Sequence, residues 1–211
     1  MRALIIAHGI GDVNYLKELL PSFDTVICAD GGAEYAYKCG ILPHYLIGDF
    51  DSINNDILEY FKLKKVKIEK YPQNKDFTDT ELCVYKALEE KCNEIIIFAG
   101  IGSRIDHSLG NIGLLHIIKS FGADGCIISE NQTVYICNDI LILKGKKGDL
   151  VSIIPFGGDA KGITTEGLQY SLKDDTIKFG YPTGISNVMT DDICKIKISS
   201  GEILVIKQSE I

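Results

Sequence analysis

The sequence predicts an α/β domain built on a mainly parallel sheet, followed by an all-β sandwich. Three observations carry that expectation. Over the first 129 residues short apolar runs alternate with longer amphipathic segments. Beyond Asn131 the helical period disappears. The runs that follow are short and separated by Gly-, Asp- and Lys-containing turns at regular spacing. The change of period alone sets the boundary, giving domains over residues 1–129 and 130–211, since no repeat, low-complexity segment or Pro/Ser-rich linker marks it.

In chain order, residues 4–7, 25–29, 45–47, 95–99 and 126–129 read as buried strands bounded by Gly or Asp. Between them, segments near 14–20, 32–39, 54–63, 79–91 and 107–121 read as helices. Cys83, Val84, Ala87 and Leu88 form an apolar stripe in the fourth, and Leu114, Leu115 and Ile118 do so in the fifth. Strands alternating with helices of this length imply βαβ units and a parallel, Rossmann-like sheet. Ligands of such sheets gather at the carboxyl ends of the strands. In the second part, runs 133–137, 140–143, 151–154, 193–198 and 203–206 read as strands, with residues 192–198 alternating as a half-exposed strand should. Ser199-Ser200-Gly201 reads as the turn of a hairpin.

Composition narrows the function. The chain has 211 residues, 22 Lys+Arg against 29 Asp+Glu, and a formal net charge of -7, with 45% hydrophobic and 24% charged residues. That is a globular composition, and its acidic balance argues against nucleic-acid or anionic-membrane binding. Small phosphates remain open where a metal or a local cation offsets the repulsion. The seven cysteines form no C-x-x-C pair, so zinc and thioredoxin-like motifs are excluded, and the thiols read as buried and reduced. The N-terminal apolar run is too short for a signal peptide, and no stretch reaches the ~18–20 apolar residues of a membrane span. The expectation is a soluble cytoplasmic protein.

Four polar loops stand at strand-to-helix junctions. Ala29-Asp30-Gly31-Gly32-Ala33 serves either as a tight turn capped by Asp30 or as a close approach for an anion at a helix start. Gly48-Asp49-Phe50-Asp51-Ser52 carries carboxylates two apart that can share a divalent cation, although Asp51 or Ser52 also suits a helix cap. An EF-hand counted from Asp49 fails at Ile53, Asn54 and Tyr60, whereas Mg²⁺ needs only one or two carboxylates plus phosphates. Lys75-Asp76-Phe77-Thr78-Asp79-Thr80-Glu81 contains the capping box Thr78-x-x-Glu81, which leaves Lys75 and Asp76 unexplained. Asp76 and Asp79, three apart, can project together. In Gly100-Ile101-Gly102-Ser103-Arg104-Ile105-Asp106-His107, Ile105 breaks the dinucleotide fingerprint, yet the glycines admit a phosphate and Arg104 offers a planar fork to it. Asp106 is placed to cap the helix, and His107 shares a face with Asn111. P-loop, G-x-S-x-G and H-E-x-x-H patterns are absent. Acids with a few cations and no basic surface suit Mg²⁺-assisted chemistry on a phosphate ester.

These four loops, in this order and at these separations, closely resemble thiamine pyrophosphokinase. Gly184-Ile185-Ser186-Asn187 and Ser200-Gly201-Glu202-Ile203-Leu204 look like that family's thiamine-binding end, so the resemblance covers essentially the whole chain. It implies a nucleotide-binding α/β domain, a thiamine-binding β-sandwich, and a homodimer whose sites are shared between subunits. The implied reaction converts thiamine and ATP to thiamine diphosphate and AMP. On that likeness Asp49, Asp51 and Asp79 hold Mg²⁺, while Asp76 assists the metal or orients the hydroxyl. Lys75 and Arg104 offset phosphate charge, and Asp106 orients Arg104 or joins the metal shell. Asp30, Gly31, Gly32, Gly100, Gly102, Arg104, His107 and Asn111 line the nucleotide, and Ser186 and Asn187 face thiamine from the partner subunit. The chain has no Trp, so a Tyr such as Tyr181, or an aliphatic residue, takes the place of a stacking Trp. Two rivals are a haloacid dehalogenase-type phosphatase, suggested by the Asp49-x-Asp51 pair after a strand, and a non-catalytic thiamine or nucleotide sensor. Against the first, Ser52-Ile53 stands where x-Thr is usual, and the pair follows the third expected strand, not the first.

Overall fold

A computed structural model describes residues 1–209 of the chain. The described residues fall into two compact units, one over Met1–Glu130 and the other from Asn131 onward.

The first unit contains strands β1 (Arg2–Ile6), β2 (Thr25–Ala29), β3 (Tyr45–Gly48), β4 (Lys67–Lys70), β5 (Glu94–Phe98) and β6 (Asp124–Ser129). Helices α1 (Val13–Leu19), α2 (Ala33–Cys39), α3 (Asn55–Leu63), α4 (Asp79–Glu89) and α5 (Ile105–Ser120) connect them. Every pairing in this unit is parallel, in the order β4-β3-β2-β1-β5-β6. The chain lays down four strands in one direction and then returns to the other side of β1. That reversal is where an open parallel sheet leaves a crevice at its carboxyl edge. The dinucleotide-binding order 3-2-1-4-5-6 has the same reversal beside its first strand but three strands, not four, on that side. Central strands covered on both faces must be apolar throughout, and β1, β2 and β5 are buried along nearly their whole length. Phe61, Phe98, Leu4, Ile6 and Leu16 fill the core on one side of the sheet.

Strand β4 escapes the sequence reading. Lys67-Ile68-Glu69-Lys70 is an edge strand with exposed lysines at both ends, so it shows neither an apolar run nor alternation. Caps follow the sequence more closely. Thr78 accepts from the Glu81 N–H at 3.1 Å, and α3 is capped by Asn54, whose side chain accepts from Asp56 N–H, and not by Asp51 or Ser52.

The second unit is all β: β7 (Gln132–Cys137), β8 (Ile140–Lys144), β9 (Leu150–Glu166), β10 (Asp175–Ile177), β11 (Asn187–Val188), β12 (Ile193–Lys197) and β13 (Ser200–Gln208). The early part of β9 pairs with β13, which pairs onward with β7. Its last residues, Thr164–Glu166, pair with β12, which pairs onward with β8. Inward residues of both groups, including Val151, Ile153, Ile196, Ile203 and Val205, share one core. The expected hairpin at Ser199-Ser200-Gly201 does not form. Strand β12 pairs with β8 and β9, and β13 with β7 and β9, so the turn carries the chain from one sheet to the other, with Gly201 at φ 93°. A turn between two alternating runs looks the same in sequence whether or not the runs pair with each other.

Phe61 is wholly buried in the first unit's core. Phe61→Ala should therefore lower unfolding free energy by about 3–5 kcal/mol, measured by urea titration, and a loss below about 1 kcal/mol would show that the site collapses around the smaller side chain.

Candidate active site

The carboxyl ends of β1, β2, β3 and β5, with the starts of α4 and α5, enclose a cavity of about 840 Å³. That volume lies within the range of small-molecule sites. Part of the cavity wall is tied together by hydrogen bonds. The loop after β1 is pinned to the loop after β5 by Gly9 N–H to Ala99 O (2.8 Å) and Ile10 N–H to Ile101 O (2.7 Å), and Ser129 Oγ donates to Ile10 O at 2.6 Å.

Three loops deliver one carboxylate each. Asp30, Asp49 and Asp79 present oxygens that all lie within 4.8 Å of one another. The backbone is bent at two of these loops: Asp30 (φ 41°) and Phe50 (φ 65°) occupy left-handed conformations, as Ala99 (φ 54°) does after β5, a choice that costs a non-glycine residue roughly 1–2 kcal/mol. Gly48 lets β3 pass Asp30, since a Cβ there would come within 2.9 Å of the Asp30 Cβ.

Asp30 is only 8% exposed, and its Oδ1 has no hydrogen-bond partner. Burial raises its carboxyl above the usual range, against the pull of the Ser52 hydroxyl and the Gly31 N–H, and the charges of Asp49 and Asp51 push the same way as burial. Asp79 is also raised, first by burial, with Lys75 opposing and Asp30 and Asp49 reinforcing. Lys75 Nζ lies 3.0 Å from Asp79 Oδ1 and 3.7 Å from Asp49 Oδ2, and donates to Pro72 O at 3.3 Å. Lys75 is thus the ion-pair partner of a buried Asp79 oxygen.

Asp51, expected beside Asp49 and Asp79, stands outside this group. Its backbone N–H donates to Asp49 Oδ1 (3.1 Å), and its own oxygens accept from Ser52 Oγ and Gln73 Nε2, each at 2.8 Å. The Ser52 hydroxyl is the chief reason that its carboxyl titrates low. Asp51 therefore steers Asp49 where Asp30 takes the third corner. Asp76 is exposed and does not line the cavity.

Arg104 and Asp106 form a two-pronged pair at the rim, Nε to Oδ1 at 3.2 Å and the second nitrogen to Oδ2 at 2.5 Å, with both side chains about two-thirds exposed. Asp106 is not the helix cap: α5 begins at Ile105, and Ser108 ties that end by accepting from Gly102 N–H (3.1 Å) and donating to Arg104 O (2.9 Å). His107 and Asn111 both line the cavity, and Asn111 is buried with its amide donating to Gly100 O at 2.7 Å.

The glycines expected to admit a nucleotide do several different jobs. A Cβ on Gly31 would strike the His8 imidazole, and one on Gly32 the Ile6 carbonyl, so the chain itself fills both approaches. Gly100 makes room for Ile127. Gly31, Gly100 and Gly102 line the cavity, whereas Gly32 does not. His8, Gly9 and Ile10 also line it and are missing from the sequence-based site. Their signal was positional: they follow the strand beside the reversal, which strand order alone reveals.

In the second unit, Ser186 is exposed at φ 61°, with its N–H donating to Ser152 Oγ at 3.1 Å. Asn187 is buried, and its side chain is engaged at home. Its oxygen accepts from Tyr170 and Val188 N–H, and its amide donates to Tyr170 O at 2.7 Å. Tyr181 is exposed. Five of the seven cysteines are buried, none is bonded to another, and burial drives the Cys28 thiol far up, so none is built to act as a nucleophile.

The profile of the thiamin pyrophosphokinase catalytic domain matches residues 16–127, and that of the thiamin pyrophosphokinase vitamin B1 binding domain matches residues 137–204. A thiamine pyrophosphokinase of Bacillus subtilis (strain 168) is 30% identical over 215 residues that cover all of both chains. Thiamine pyrophosphokinase 3 of Oryza sativa subsp. japonica is 28% identical over 204 residues, covering 85% of this chain and 76% of its own. The crystal structure of thiamine pyrophosphokinase from Bacillus subtilis superposes with a TM-score of 0.88 at 26% identity, over the full length of both chains. Thiamin pyrophosphokinase from Candida albicans shares the fold, with a TM-score of 0.86 at 17% identity over 99% of this chain and 89% of its own.

The Arg104 guanidinium favours the ionised form of Asp106 and holds that carboxyl at about 2. Replacing Arg104 by Gln should raise the midpoint toward the ordinary ~3.9, as followed by carboxyl-carbon NMR titration. A midpoint unmoved in R104Q would mean that the pair does not persist in solution.

Proposed function

The chain belongs to the thiamin pyrophosphokinase family, and from that membership we propose how its cavity carries out the transfer. It is an enzyme, a transferase that moves the pyrophosphoryl group of ATP to the hydroxyl of thiamine and yields thiamine diphosphate and AMP. In that reaction the hydroxyl oxygen bonds the β-phosphorus. The bond from that phosphorus to the α,β-bridging oxygen breaks, and AMP departs with the oxygen. Catalysis then consists of placing two substrates and neutralising charge along a triphosphate.

The observation that carries the site assignment is the three-carboxylate group with a buried, unpartnered Asp30 oxygen in it. Hard oxygen donors from three loops fit Mg²⁺, whose shell oxygens stand about 3–4 Å apart. Asp30, Asp49 and Asp79 are its protein ligands in this reading, with Asp51 fixing Asp49. When bound, Mg²⁺ supplies positive charge to the phosphate oxygens. Lys75 and Arg104 supply more, Arg104 being aimed by Asp106. Gly31, Gly100, Gly102, His107 and Asn111 line the nucleotide side, which is the sense in which the sheet works as a Rossmann-like one.

Thiamine is assigned to the second unit. Ser186 is the residue free to meet it, and Asn187 holds the turn that presents Ser186. We read the protein as a cytoplasmic homodimer in which Ser186 of the partner subunit approaches the cavity. What supports a second copy is the outer face of α5, where Ile105 and Leu109 are 73% and 63% exposed and Gly113 has nothing near its Cβ position. Among the described residues, no helix is long and apolar enough to cross a membrane.

The deciding assay is ³¹P NMR of the protein with thiamine, ATP and Mg²⁺, beside a tube without thiamine. Thiamine-dependent AMP and thiamine diphosphate are expected, with Asp49→Asn lowering kcat about 10²–10³-fold. ADP with thiamine monophosphate would overturn attack at the β-phosphorus. Free phosphate in both tubes would restore the phosphatase.

A further inference from the structure

The two cations of the site are built differently. Arg104 is 68% exposed and is already held by Asp106 at the rim. Lys75 is 11% exposed and reaches into the carboxylate group, where its neighbours are Asp79 Oδ1 (3.0 Å), Asp49 Oδ2 (3.7 Å) and the Pro72 carbonyl (3.3 Å). All three are oxygens, the donor set of a hard divalent cation. One positive charge thus contacts two of the three carboxylates, and the third, Asp30, keeps a buried oxygen with no partner. A divalent ion and the ammonium cannot both crowd the same oxygens, because their repulsion is twice that of two unit charges at the same separation.

We propose that Lys75 is a resident, displaceable counter-ion of this group: it keeps Asp49 and Asp79 together before a divalent cation binds, yields those oxygens to the cation, and then turns its ammonium to the triphosphate. The side chain is suited to the exchange. A lysine is a compact point charge on a flexible four-carbon stem, whereas the fork of Arg104 is fixed by two hydrogen bonds. Its backbone lies in the exposed loop before Thr78, outside the helix that carries Asp79, so the ammonium can leave without moving a ligand. Metal binding then delivers a cation to the phosphates as well as occupying the carboxylates. Only the phosphate half of this inference rests on the pyrophosphokinase reading; the metal half rests on the geometry alone.

The test uses Mn²⁺ as the probe, with free ion counted by electron paramagnetic resonance in solutions of full-length wild type, Lys75→Met and Lys75→Gln, without nucleotide. Both variants should bind Mn²⁺ about tenfold more tightly than wild type, and Mn²⁺ should raise their Tm by more. At saturating Mn²⁺, calorimetry should show a non-hydrolysable ATP analogue bound about tenfold more weakly by the variants. Thermal melts establish that each variant is folded. Mn²⁺ affinity that is unchanged or weaker in both folded variants would overturn the proposal and leave Lys75 a fixed tether or a phosphate ligand only. If wild type makes no AMP from thiamine and ATP, the pyrophosphokinase reading falls while the Mn²⁺ comparison still decides the role of Lys75.

Discussion

Negative charges do not gather on their own in a half-dry crevice, and the site depends on a scaffold stiff enough to force them together. Here the scaffold is the parallel sheet with its reversal between β1 and β5. Each carboxylate enters from a different strand-to-helix loop, and Asp30 and Asp49 cannot retreat without disturbing the buried strands β2 and β3. The cost appears in the carboxyls of Asp30 and Asp79, raised first by burial and further by their neighbours' charges, and in the left-handed backbone at Asp30 and Phe50. Lys75 offsets part of it. A site that stores this much unfavourable charge is suited to a ligand that brings positive charge with it.

Charge at the rim and charge at the centre are governed by different physics. Arg104 and Asp106 meet in water, where screening leaves an exposed pair worth little to stability, so their pairing fixes an orientation more than it holds the fold. Lys75, Asp49 and Asp79 meet under cover, where each contact is stronger and each unpaired oxygen more costly. Asp51 lies between the two regimes, exposed but tied to Ser52, Gln73 and, through its N–H, Asp49. The chain thus separates a covered acidic centre from an exposed basic edge.

How far a sequence reveals such a site depends on what each residue's role leaves in one dimension. Buried parallel strands announce themselves as apolar runs, so five of the six strands of the first unit are legible and the polar edge strand β4 is not. Thr78 and Glu81 show their cap through spacing. Asp30 does not show its part, because Asp-Gly-Gly before a helix serves equally as a turn, and its neighbours in space come from loops about 20 and 50 residues away. His8 is invisible for the same reason. Asn187 shows the reverse failure: a polar residue in a motif resembling a ligand end turns out to bind its own backbone neighbours. In the second unit, alternation marks strands but not partners, which is why the turn at Ser199–Gly201 reads as a hairpin and is a crossing.

The long strand β9 has a consequence for how the second unit comes apart. Because its early residues are laced to β13 and its last to β12, neither sheet can open while the other stays closed. Pairings such as Leu150 with Gln208 join distant parts of the chain, so the unit must close large loops before any of them is rewarded, and it folds slowly for its size. Its backbone amides therefore belong to a single cooperative foldon, and those at both ends of β9 exchange with solvent through the same global opening.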